Sequence, residues 1–102
     1  MKHKLLPLSE TMHYILLVLR QPKHGYAIMQ EVQDLSKNAV ILAPGTLYGA
    51  IDNLAKHKWI KQVDVIDRRK IYQITQEGLD VLDHEEKRLQ HILKIYEMGD
   101  VQ

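Results

Sequence analysis

A mainly α-helical fold with one small β-hairpin and a long terminal helix is what this sequence predicts. Three observations predict it. Apolar residues recur at helical spacing in three short segments before Trp59. Between Ile60 and Ile74 the pattern changes to two short β-branched and aromatic runs around a charged stretch. From Gln76 to about Glu97 strong helix formers continue with no proline and one early glycine. A chain of 102 residues has room for one domain.

The first helix is announced by Ser9, whose hydroxyl can accept from an orphan amide at a helix start, and by Glu10 beside the positive helix end. Met12, Ile15, Leu16 and Leu19 form its apolar stripe, and Pro22 and Gly25 are expected to end it and open a connector. Tyr26, Ile28, Met29 and Val32 mark a second helix that runs out between Leu35 and Asn38. Ala43-Pro44-Gly45-Thr46 starts a third, because proline in a first turn lacks an amide that would go unpaired there anyway. Its stripe is Leu47, Ile51 and Leu54, reaching solvent at Lys58, and Trp59 and Ile60 close the unit. Val63 and Val65 then alternate with Gln62 and Asp64. Asp67-Arg68-Arg69-Lys70 reads as a polar turn, and Ile71, Tyr72 and Ile74 form the returning strand. Thr75 caps the last helix, with Glu77 in its first turn. At about 1.5 Å per residue that helix is on the order of 30 Å long, more than the preceding unit can cover.

Three helices followed by a two-stranded wing describe a winged helix-turn-helix over residues 1–74, with residues 75–102 as a separate C-terminal helix. Such a unit lays one helix in the DNA major groove and sets a basic hairpin against phosphates or the minor groove. The third helix has a face for that task. Thr46, Gly49, Ala50, Asn53, Lys56 and His57 share one side once the leucine stripe is subtracted. Gly49 and Ala50 are small enough for close approach, although small residues also serve helix packing. Thr46 and Asn53 can hydrogen-bond base edges, Asn being a natural partner of adenine, and Lys56 and His57 can reach a phosphate. An isolated Arg68-Arg69-Lys70 triplet is ordinarily a solubilising turn; at a wing position it becomes a phosphate or minor-groove contact. Lys61 adds a cation at the wing base.

Charge is distributed in the same sense. The formal net charge is +1, but residues 1–42 carry five basic and three acidic groups, residues 43–74 six and three, and residues 75–102 three and seven. A polyanion therefore meets the first three-quarters of the chain. In the last helix Leu82, Leu89, Ile92, Leu93 and Tyr96 lie on one side, which predicts pairing of two copies; Glu86 within the run argues against a regular coiled coil.

Other classes find little support. There is no cysteine, hence no disulfide framework or thiolate metal site. The six histidines show no H-x-x-x-H spacing, no glycine-rich phosphate loop is present, and no hydroxyl is paired by motif with a base. The expectation is a non-enzyme with no catalytic residues, metal or cofactor. The longest apolar run, Tyr14 to Leu19, is far short of the roughly 20 residues that span a bilayer. Pro7 interrupts the N-terminal stretch, so a cytoplasmic protein without membrane association is expected.

With these residues in view the chain resembles the PadR family of transcriptional regulators along nearly its whole length. The resemblance rests on Leu8-Ser9-Glu10, Tyr14-Ile15-Leu16-Leu17 and His24-Gly25-Tyr26-Ala27-Ile28-Met29. It continues in Pro44-Gly45-Thr46-Leu47-Tyr48-Gly49-Ala50-Ile51 with Leu54, and in the run from Arg68 through Ile74 to Gly78. It implies a homodimeric repressor on a double-stranded, promoter-proximal operator, released by a small-molecule or stress signal of unknown identity. By position, Thr46, Tyr48, Asn53 and Lys56 would serve the recognition helix, Tyr26 the DNA backbone, and Arg68 and Arg69 the wing. Three departures stand out, the first being a short wing. Ala43 replaces the serine-like capper often found before the proline, and the only tryptophan, Trp59, precedes the wing instead of lying in the terminal helix. The residues alone leave one alternative open, a winged-helix module that docks another protein through its third helix.

Overall fold

In the computed structural model residues 3–99 are described, and the elements run α1 (Glu10–Val18), β1 (Lys23–His24), α2 (Gly25–Leu35), α3 (Pro44–Lys56), β2 (Ile60–Ile66), β3 (Arg69–Ile74) and α4 (Gln76–Glu97). Two helices begin as the sequence predicts. Ser9 Oγ accepts from the Met12 amide at 3.1 Å, and Thr75 Oγ1 accepts from Gly78 at 3.1 Å. α3 starts at Pro44 behind Ala43, which makes no side-chain cap.

The first connector differs from expectation. α1 ends at Val18, ahead of Pro22, and Lys23 and His24 form a short strand paired with Tyr72 and Ile71. The expected hairpin is therefore a three-stranded antiparallel sheet of order β1-β3-β2. Gly25 is the first residue of α2 and not part of a loop. The cause is long-range pairing, which two residues of local sequence do not encode.

α2 and α3 stop by the same device. In each, the amide two residues past the cap reaches back to the third-last helical carbonyl: Asn38 to Gln33 at 2.9 Å, and Trp59 to Leu54 at 3.0 Å. The residue between turns left-handed, Lys37 at φ 53° and Lys58 at φ 62°. This is a Schellman closure with lysine where glycine is usual.

The wing turn is tighter than predicted. Only Asp67 and Arg68 form it, with φ of 51° and 65°, the positive pair that matches strand twist in a two-residue hairpin. Arg69 and Lys70 are strand residues opposite Ile66 and Val65. A register irregularity between Gln62 and Asp64 leaves Val63 as an extra residue that bends β2. Beyond Ile60 every residue of β2 is exposed, so the wing stands clear of the core.

The core joins Ile15, Leu16 and Leu19 to Ile28 and Val32, and both sets to Leu47, Ile51 and Leu54. Trp59, Ile60 and Ile74 close it from the wing base, and α4 adds Val81 and Leu82. Leu82 is 8% exposed, so the early turns of α4 pack on the rest of the chain and leave only an edge of Leu82 toward a surface between copies. Gly78 permits that seating, because a Cβ there would run into the Trp59 carbonyl oxygen and the Ile74 side chain. After Glu85 no described residue of α4 is buried, and the molecule is elongated, 55 Å against 29 and 21 Å.

Candidate nucleic-acid interface

Rotation by about 100° per residue sets which side chains α3 turns outward. Leu47, Ile51 and Leu54 face the core, so Thr46, Gly49 and Lys56 are exposed while Ala50 and Asn53 are half-buried at the margin. Nothing lies within 4 Å of a Cβ built on Gly45 or Gly49, so the middle of the face is bare backbone. His57 departs from expectation. Its ring packs edge-on against His3 at 4.7 Å between centroids, with Trp59 at 5.8 Å. That packing, then the charges of His3, Lys4 and Lys56, hold its pKa below the ordinary histidine value. The lowered value favours the neutral ring, which packs at the helix end.

Tyr48 sits on the other margin of α3, 50% exposed, and leans over the start of α2. A Cβ on Gly25 would lie 2.6 Å from its hydroxyl oxygen, so the glycine is what lets the two helices meet here. Tyr26 is 59% exposed, and its hydroxyl accepts from Gln30 Nε2 at 3.3 Å. Between α2, α3 and the wing lies an open groove of about 580 Å³. Tyr26, Tyr48, Arg68, Arg69 and Lys70 line it together with His24, Asp52 and Tyr72. Three cations thus face a single carboxylate. Burial, then the Asp52 charge, raises the Tyr72 pKa, so that hydroxyl stays protonated as a donor.

The structure therefore gathers Tyr26 and Tyr48 with the three wing cations, and sets Thr46, Gly49, Ala50, Asn53 and Lys56 on the adjoining helix face. Lys61 stands apart, in a shallow groove with Ala55, Lys58, Thr75 and Glu77. Sequence reasoning missed His24, Asp52 and Tyr72. Asp52 was legible, four residues after Tyr48 on the same helix. His24 was visible only as part of a family motif; its capping role had no local signal, because histidine is not among the usual helix caps.

A second surface lies on α4. Leu89, Ile92, Leu93 and Tyr96 are 44%, 40%, 57% and 77% exposed on α4. A groove of about 560 Å³ between α1 and α4 continues this face through Leu17, Leu79 and Leu82. At the inner end of α4, Glu85 is fully buried; its carboxylate accepts from the Leu8 amide at 2.6 Å and from Arg88 Nε at 2.8 Å. Burial pushes its pKa up, but the hydrogen bonds from Arg88 and Leu8 outweigh it, and the net result lies below the ordinary carboxylate value.

A three-helix core, a sheet-anchored wing and an outward third helix define a winged helix-turn-helix. Residues 15–84 match the model of the transcriptional regulator PadR-like family. The chain belongs to that family: it is a DNA-binding transcriptional regulator and not an enzyme. An uncharacterised protein of Lysinibacillus sphaericus is 30% identical over 86 residues, 80% of this chain and 79% of the relative. Among solved structures, a transcriptional regulator from Clostridium thermocellum matches with a TM-score of 0.75 and 20% identity, covering 99% of this chain and 100% of that one. A PadR family transcription regulator from Clostridium difficile matches at 0.74 and 24%, covering 88% and 97%. Among the described residues no helix is long and apolar enough to cross a membrane.

Proposed function

We propose that this regulator is a cytoplasmic repressor that binds a promoter-proximal operator as a homodimer, residues 1–74 engaging DNA and residues 75–102 pairing the copies. The observation that carries the DNA-contact assignment is the adjacency of two unlike surfaces. The small, polar face of α3 suits base edges, and the cationic wing beside it suits phosphates. In this reading Thr46 and Asn53 touch bases, Gly49 and Ala50 admit the helix to the groove, and Lys56 holds a phosphate. Tyr26, Tyr48 and Arg68 to Lys70 follow the backbone along the wing groove, with Lys61 a peripheral contact. Arg68 supports the assignment energetically. A left-handed arginine costs about 1–2 kcal/mol that glycine would not, so its charge has a use at that tip.

Pairing is supported by the exposed Leu89, Ile92, Leu93 and Tyr96, a contiguous apolar strip on a helix whose inner half is already seated. Dimerisation presents two α3 helices to one duplex, and repression follows from occupying a promoter.

Gel retardation with a fragment from the protein's own upstream region tests the reading. The expected result is sequence-selective retention whose affinity falls steeply with salt as counterions are released. Retention that ignores both sequence and salt would refute operator binding and favour a protein-docking module.

A further inference from the structure

His24 is placed in two roles that one imidazole cannot fill together. Its Nδ1 accepts from the Ala27 amide at 3.3 Å, capping α2. Its Nε2 lies 3.3 Å from Arg69 Nη1 across the strand pairing of β1 with β3. An imidazole whose Nδ1 accepts must carry its proton on Nε2, and a guanidinium has donors only. With the proton on Nε2, the tautomer that keeps the cap, Nε2–H and Nη1–H face each other at the mouth of the wing groove with no acceptor between them. Among the described residues no carboxylate forms an ion pair with Arg68, Arg69 or Lys70, and Asp52, the only acid lining the groove, is outnumbered. An acceptor oxygen with negative charge is what completes this arrangement.

We propose that His24 and Arg69 form a seat for one DNA backbone phosphate, a single non-bridging oxygen accepting from both Nε2–H and Nη1–H. The inference rests on the DNA-binding reading and adds to it a residue outside both recognition helix and wing. His24 then links two tasks through one ring. Nδ1 holds the start of α2, Nε2 holds DNA, and the phosphate fixes the tautomer that the cap requires. Tyr26, two residues on, lines the same groove and borders the seat.

The test uses variants that keep the cap. In His24→Asn the side-chain oxygen still caps α2, but the shorter side chain puts no donor where Nε2–H stood. In His24→Asp the cap is kept and a carboxylate takes the place reserved for phosphate. Both are expected to melt within a few degrees of the parent. His24→Asn should bind the selected duplex about tenfold more weakly, by the same factor on unrelated duplexes, because phosphates carry no sequence information. His24→Asp should lose more. Because both donors share one oxygen, His24→Asn combined with Arg69→Ala should bind no worse than about twofold below Arg69→Ala alone. In the complex, nitrogen NMR should find His24 protonated at Nε2 only, and the Ala27 amide should exchange more slowly than in the free protein. Wild-type affinity in His24→Asn, or a double variant as weak as the product of the singles, overturns the seat while DNA binding stands. Failure of the parent protein to bind any duplex overturns both.

Discussion

The two halves of α4 invert the usual rule for what is buried. The inner half hides a carboxylate, Glu85, and the outer half exposes Leu89, Ile92, Leu93 and Tyr96. A buried charge is stable only when its hydrogen bonds are supplied, and Glu85 has them from Leu8 and Arg88. Exposed leucines in a continuous strip have no such internal answer; water is their neighbour until another surface replaces it. The difference teaches that one helix does two jobs. Its first half packs on the N-terminal arm and α1 of the same chain, and in the proposed dimer its last turns meet a second copy.

If that division is right, substitutions in the two halves should fail in different ways. The largest effect is expected in the outer half. Ile92→Glu with Leu93→Glu should give a monomer by light scattering and weaken operator binding about 100-fold or more, since the second half-site is no longer tethered to the first. The chain should still fold by circular dichroism, because both residues are 40% or more exposed on a single chain, and the thermal midpoint should lose only the part that pairing supplies. A monomer that kept full affinity would separate pairing from DNA binding.

In the inner half, Glu85→Gln should leave the dimer intact and cost about 1–3 kcal/mol in urea unfolding, because Arg88 loses its charged partner. Its pH signature is distinctive. The folded Glu85 pKa is depressed, so its stabilisation is complete above the unfolded carboxylate value and is lost as pH falls through the folded one. His13 adds to acid sensitivity. Burial lowers its pKa, opposed by the Glu85 charge, so the contribution of its neutral form is complete above the ordinary histidine value and is lost below it. The variant should therefore show a flatter stability curve in acid than the parent. An unchanged curve would place the acid response elsewhere.

Smaller effects belong to the DNA face. Asn53→Ala should relax preference at one or two base pairs by about 1–3 kcal/mol, read from selected sites, with nonspecific affinity unchanged. Arg68→Gly should have effects of opposite sign. Glycine relieves the left-handed backbone and raises stability by about 1 kcal/mol, while the salt dependence of DNA binding loses about one phosphate's worth of slope.

Much of this was written in local sequence. Ser9 and Thr75 marked helix starts through side-chain oxygens, and the leucine spacing of α3 defined its outward face without any tertiary information. What stayed hidden was set by contacts distant in the chain. β1 exists because Lys23 and His24 meet Tyr72 and Ile71, nearly fifty residues on. The stops at Lys37 and Lys58 lack the glycine that would have announced them. Leu82 and Leu89 occupy equivalent places in the α4 stripe, yet only the first falls beneath α1 and the core. Glu85 reads as one more acid in an acidic tail, and only the approach of Leu8 makes it a buried anchor.

Selection of duplexes from a random pool, followed by light scattering on the selected complex, tests the central claim most directly. Two chains per duplex on an inverted repeat, with half-sites about one helical turn or a multiple of it apart, are predicted for two α3 helices presented by paired tails. A pool that never enriches at low salt, or a single chain on an unsymmetrical site, would contradict it.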